Sequence, residues 1–137
     1  MMQRIVLDTN GLLICLASSS PYHNVWTSFL QGYYVLCVTN EIILEYEEIL
    51  TRKTNREVAS NVVQAILNRC NVLQIDAHIK YRMIESDPDD NKFVDCAITA
   101  NARYIVTEDR HYDVLKGIDY PRLEIVRLAE FSEILKV

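Results

Sequence analysis

Five short apolar runs, at residues 5–7, 33–38, 72–75, 104–106 and 123–126, alternate with longer stretches whose apolar residues recur at helical spacing. The runs are rich in Val, Ile and Tyr and too short to be helices, so they read as strands. Between them, Ile42, Tyr46, Ile49 and Leu50 mark one helical stripe, Val58, Val62, Ala65 and Ile66 a second, and Phe93, Ala97 and Ile98 a third. Thr39 or Asn40 can cap the first of these helices, and Asp89 or Asp90 the third. Strands that alternate with helices and are apolar almost throughout require a mostly parallel sheet covered on both faces. The fold class is therefore α/β, three layers with a sheet of about five strands, and ligands in such sheets bind beyond the carboxyl ends of the strands.

The 137 residues make one domain, residues 1–137, and half of them are apolar, enough for a core without a disulfide or metal staple. Three Gly and three Pro argue against long loops; the punctuation is confined to the 18–21 and 87–90 segments and Tyr120-Pro121. Lys and Arg number 14 against 19 Asp and Glu, a net charge of −5, so the surface as a whole is a poor blanket for a polyanion. Any nucleic-acid binding must be local or mediated by metal. Cys15, Cys37, Cys70 and Cys96 lie far apart beside apolar neighbours and read as buried, reduced thiols of a cytoplasmic protein. No apolar stretch reaches the length of a membrane span, and MMQRIVLD carries an acid where a secretory signal needs apolar residues.

The acids depart from this background. Between residues 1 and 38 only Arg4 and Asp8 are charged, and Asp8 directly follows the first apolar run. A second acid, Asp109, follows the 104–106 run within Thr107-Glu108-Asp109. Alone, Asp8 reads equally well as a helix cap. Two carboxylates brought together at the ends of neighbouring strands repel, and they persist ionised with a hard cation such as Mg2+ or Mn2+ between them. The helix after the second strand adds Glu45, which borders the buried stripe, although its companions Glu41 and Glu48 read as a solvated face. The cluster Asp87-Pro88-Asp89-Asp90-Asn91 opens a later helix, where the macrodipole favours acids. Asp95 stands in a largely apolar stretch one turn beyond Asn91, where an unpaired carboxylate would be costly. His23, His78 and His111 have no ligand spacing and read as surface or loop residues, with His111 two positions past Asp109.

Four segments together resemble the PIN-domain family: Ile5-Val6-Leu7-Asp8-Thr9-Asn10, then Glu45-Tyr46-Glu47-Glu48-Ile49-Leu50-Thr51-Arg52, then residues 87–97 with Asp90-Asn91-Lys92-Phe93-Val94-Asp95, then Ala102-Arg103-Tyr104-Ile105-Val106-Thr107-Glu108-Asp109. The resemblance covers nearly the whole chain. It is closest to the VapC-like toxins of prokaryotic toxin–antitoxin pairs. It implies a three-layer PIN-like fold and a metal-dependent ribonuclease using Mg2+ or Mn2+, with Asp8, Glu45, Asp95 and Asp109 as the catalytic and metal-binding acids. Asp90 matches a further acid frequent in this group. Asn10, Thr107 and Asn91 match polar positions that support the acids, since ligand carboxylates need donors that fix their orientation. Glu108 departs from the pattern, where relatives often carry Gly, which bears on activity rather than on fold.

The resemblance further implies a single-stranded RNA substrate cut to a 5′-phosphate and a 3′-hydroxyl, a small antitoxin partner and a homodimer. Arg52, Lys53 and Arg56 form the tightest basic cluster and serve equally as an RNA contact or as favourable charge at a helix end. Two other readings differ in kind. A PIN-like module that binds protein or RNA without catalysis has no need of four repelling acids. A phospho-acceptor signalling domain needs an early acidic pair and a Lys after a late strand, but only Asp8 is present early and no Lys follows Val126 until Lys136.

Overall fold

The structure, a computed structural model, describes residues 2–77, 79–84, 88–118 and 123–136. His78, Asp87 and the Tyr120-Pro121 turn lie outside the described residues.

Strands β1 (Arg4–Leu7), β2 (Val35–Val38), β3 (Val72–Gln74), β4 (Tyr104–Val106) and β5 (Glu124–Val126) form one sheet in the order β3-β2-β1-β4-β5. Every pairing is parallel. Consecutive residues of the central strands, Ile5-Val6-Leu7 and Ile105-Val106, are fully buried, which is why the sequence shows unbroken apolar runs and not alternation. The chain lays β1, β2 and β3 outward in one direction, then returns to add β4 and β5 on the other side of β1. The crevice between the carboxyl ends of β1 and β4 is thus the topological switch point, where side chains from both halves can meet.

Helices α1 (Thr9–Leu16), α2 (His23–Leu30), α3 (Asn40–Lys53), α4 (Arg56–Leu67), α5 (Asn91–Ala100) and α6 (Leu128–Leu135) flank the sheet. α1, α2 and α6 pack together, α3 and α4 form a helical hairpin, and α5 lies against β1, β2 and β4. The 42/46/50 stripe of α3 is buried; on α4, Val62 and Ile66 are buried as spacing predicts, but Val58 is exposed and Ala65 only partly buried, and Ala59 and Val63 complete the buried face instead. Thr39 caps α3 through an acceptor bond from Ile42 N at 3.2 Å. α5 ends at Asn101, whose φ of 54° is the left-handed conformation Asn tolerates at a helix C-terminus.

Four further features depart from the sequence reading. α1, α2 and α6 are added to the three helices singled out by spacing; α1 is apolar almost all round, so it shows no stripe. Asp90 occupies the N-cap position of α5 but makes no side-chain capping bond, because a 3₁₀ turn at Pro88–Asp90 leads into the helix and Asp90 already has helical backbone angles. Cys70 is exposed in the turn before β3, whereas Cys15, Cys37 and Cys96 are buried as expected. Residues 79–84 run without regular structure despite the scarcity of Gly and Pro. Side chains of α5 take over hydrogen bonds that a ladder would supply to that segment.

Candidate active site

Asp8 leaves the carboxyl end of β1 and is 5 % exposed. Its Oδ1 accepts from Gly11 N at 2.8 Å, which caps α1, while its Oδ2 accepts from the Thr107 hydroxyl at 2.5 Å. Capping and a role at the strand ends are therefore not alternatives. Gly11 permits the close approach: a Cβ there would lie 3.2 Å from Asp8 Oδ1 and 2.9 Å from Leu7 Cδ1. Across the crevice, Thr107 Oγ1 also accepts from Asp109 N at 3.0 Å. One threonine thus joins the two acids that the strand ends bring together.

Glu45 arrives from α3 because the next residue anchors that helix. Tyr46 is fully buried and its hydroxyl donates to Leu7 O, the last residue of β1, at 2.5 Å. Glu45 in turn accepts from the Thr9 hydroxyl, and Lys92 Nζ stands 2.7 Å from its Oε1.

Burial pushes the Asp8 carboxyl up to about 6; the Thr107 and Gly11 bonds oppose this, and the negative charges of Asp109 and Glu45 reinforce it. Asp8, Glu45 and Asp109 therefore share one electrostatic environment. Asp90 joins them from the start of α5: ligand atoms of Asp90, Asp109 and His111 lie within 4.8 Å of one another. Beneath them the buried Tyr112 phenol is pushed up, first by burial and then by the charges of Asp90, Asp8 and Asp109. Carboxylate oxygens with an imidazole nitrogen at their edge form a donor set that suits a divalent cation.

Asp95 has a different set of neighbours. It is 2 % exposed, and its Oδ1 accepts from Tyr81 N at 3.1 Å. Burial raises its pKa, opposed by that bond and by Lys80, while Glu41 adds to the rise. One turn earlier, Asn91 accepts from Ile84 N at 2.8 Å and donates to Ile84 O at 2.9 Å. Together they hold the 81–84 backbone against α5. Asp95 also lines a cleft of about 540 Å³ with Glu41, Lys80, Arg82, Asn91 and Lys92.

Asn10 is exposed in the first turn of α1, and the bond to Glu45 comes from its neighbour Thr9. Arg52, Lys53 and Arg56 are exposed around the α3–α4 junction, with Arg52 paired to Glu48 at 2.9 Å. Glu108 is partly buried between Thr107 and Asp109. Sequence reasoning missed Lys92 and Thr9 as partners of Glu45. The signal for Lys92 was a lone cation closely following the acids Asp89 and Asp90.

The family model for the PIN domain matches residues 4–111, from β1 through Asp109 and His111. The chain belongs to the PIN domain family. Its fold places this PIN domain beside solved structures of low identity. It is similar in fold to VapBC2 from Rickettsia felis bound to a DNA fragment from its promoter, at TM-score 0.63 and 15 % identity over 90 % of this chain and 98 % of that one. DNA-bound VapBC from Salmonella typhimurium gives 0.61 and 18 % over 93 % and 99 %. The sarcin-ricin loop cleaving toxin VapC20 of Mycobacterium tuberculosis gives 0.57 and 13 % over 80 % and 92 %. Comparison with curated protein sequences gives no match.

Proposed function

We propose that this PIN domain is a divalent-metal-dependent endoribonuclease and the toxin of a toxin–antitoxin pair. The observation that supports the reading is that ligand atoms of Asp90, Asp109 and His111 lie within 4.8 Å of one another beside the β1–β4 switch point, where buried Asp8 feels the charges of Asp109 and Glu45. Four acids in one place serve a cation better than they serve folding.

In this reading Asp8, Asp90 and Asp109 hold the ion, Mg2+ or Mn2+. When bound, such an ion lowers the pKa of water and neutralises charge growing on a scissile phosphate. The Thr107 hydroxyl orients the Asp8 carboxylate and ties it to the backbone N–H of Asp109, whose own carboxylate is oriented by His111 N. Glu45, steadied by Thr9 and Lys92, orients the attacking water. Lys92 keeps a positive charge beside the acids that would otherwise repel an RNA phosphate. Asp95 is a positioning residue that holds the 81–84 segment along the adjoining cleft. Hydrolysis leaves a 5′-phosphate and a 3′-hydroxyl.

Arg52, Lys53 and Arg56, exposed together around the α3–α4 junction, supply positive charge for the RNA backbone on an otherwise net acidic chain. The fold neighbours solved as VapBC support a small antitoxin partner, and the one described as cleaving the sarcin-ricin loop supports an RNA substrate. A homodimer acting in the cytoplasm completes the reading, and among the described residues no helix is long and apolar enough to cross a membrane.

The test is cleavage of a mixed single-stranded RNA pool by folded wild type and Asp8→Asn, with Mg2+, with Mn2+ and with chelator. Cleavage by wild type only with metal, and none by Asp8→Asn, is expected. Absence of cleavage with either metal, together with an unchanged melting temperature on metal addition, would leave a binding module without catalysis.

A further inference from the structure

His111 was read from the sequence as a loop residue, and its ring occupies a specific place. Its Nδ1 stands 3.3 Å from Asp109 Oδ1 and 3.6 Å from Asp90 Oδ2, so one nitrogen faces two carboxylates that come from different elements. Both are ion-pair separations, longer than the 2.7–3.2 Å of an ordinary N–H to oxygen hydrogen bond. They lie close to the spacing of neighbouring donors around an octahedral ion with bonds of about 2.1 Å, roughly 3 Å.

The backbone prepares this arrangement. His111 N donates to Asp109 Oδ1 at 2.9 Å, which opens the 3₁₀ helix Arg110–Gly117 and ties the orientation of the carboxylate to the residue that carries the imidazole. Tyr112, the next residue, is fully buried and fixes the register of that helix, while the His111 ring itself is about half exposed and needs no core contact.

Resting on the metal centre proposed above, we infer that His111 is a nitrogen ligand of that centre, with Asp90 and Asp109, and that it biases the site toward Mn2+ or a heavier first-row ion over Mg2+. Carboxylates and water satisfy Mg2+ fully, whereas an imidazole adds a donor that first-row transition ions bind better and Mg2+ hardly uses. The alternative is a ring that only balances the charge of the two carboxylates. It predicts no nitrogen in the coordination sphere and similar losses for both metals when the ring is removed.

The probe is Mn2+ alone, bound to the full chain without RNA. Pulsed electron paramagnetic resonance of wild type is expected to show a ¹⁴N coupling that changes on ¹⁵N-histidine labelling and disappears in His111→Ala. Competition titrations are expected to show Mn2+ affinity reduced about tenfold in His111→Ala, with Mg2+ affinity changed by less than about threefold. Bound Mn2+ without a histidine coupling in wild type overturns the inference and leaves the carboxylate centre standing. Equal losses for Mn2+ and Mg2+ do the same. Absence of Mn2+ binding by wild type, indistinguishable from Asp8→Asn, overturns the centre and the inference together. The spectrum of wild type needs no variant, so a poorly folding His111→Ala does not remove the test.

Discussion

The hydroxyl of Thr107 reaches across 99 residues of sequence to donate to Asp8 Oδ2 at 2.5 Å, and the same oxygen accepts from Asp109 N at 3.0 Å. Replacing Thr107 by Val keeps the shape and removes both bonds. Asp8 is left buried with one partner fewer, so the expected loss of stability is about 1–3 kcal/mol by urea unfolding. Metal affinity, measured by titration, should fall roughly 10–100-fold, and Thr107→Ser should restore most of it.

Asp8 gives the chain a pH dependence of definite sign. Its carboxyl moves from 3.8 to about 6 on folding, so the folded state binds the proton more tightly and loses stability as pH rises between those values. Without metal, the charged carboxylate costs the fold about 3 kcal/mol at pH 7. Asp8→Asn should therefore be more stable than wild type at pH 7 in chelator, and the difference should shrink toward pH 4. Saturating Mn2+ should raise the wild-type melting temperature and leave that of Asp8→Asn unchanged. The variant should lose at least about a thousandfold in RNA cleavage, near 4 kcal/mol of transition-state stabilisation.

Tyr46 links α3 to the end of β1 through the bond to Leu7 O. Tyr46→Phe preserves the packed ring but leaves a buried carbonyl unpaired, and unfolding should report a loss of about 1–2 kcal/mol. Because Glu45 is the adjoining residue, the cleavage rate should fall more than the fraction of folded protein does.

For Asp95, the structure separates two roles. Asn at this position still offers Tyr81 N a carbonyl acceptor, whereas Ala does not. Hydrogen exchange at residues 81–84 should remain slow in Asp95→Asn and become faster in Asp95→Ala. Cleavage should follow the same order if Asp95 positions the segment; equal abolition by both variants would assign it to the metal centre.

Thiol chemistry checks the burial of the cysteines. Burial pushes Cys15 up to about 12 and Cys37 up to about 11, and it raises Cys96 as well. Cys70 alone is exposed. Maleimide at neutral pH should label one site in the native protein, lost in Cys70→Ser, and four sites after unfolding.

The strands, the three striped helices and the positions of Asp8 and Asp109 after their strands were legible from the sequence, because each depends on local order. An apolar run buried on both faces has no polar alternation, and an acid directly after it stands at a strand end wherever that strand pairs. Period and position suffice for such features. What the tertiary structure decided is which distant groups meet. Strand order puts β4 beside β1, and only then do Thr107 and Asp8 bond. The sequence marked Asp95 as a carboxylate that would be costly to leave unpaired, and only the tertiary structure brings it the backbone N–H of Tyr81, from a segment with no periodic signal. Lys92 and Glu45, His111 and Asp90, are likewise pairs fixed by the docking of α5 and of the 3₁₀ helix against the sheet. Sequence spacing encodes which face of an element is buried; which side chains share a site is set by long-range packing, and no local pattern carries it.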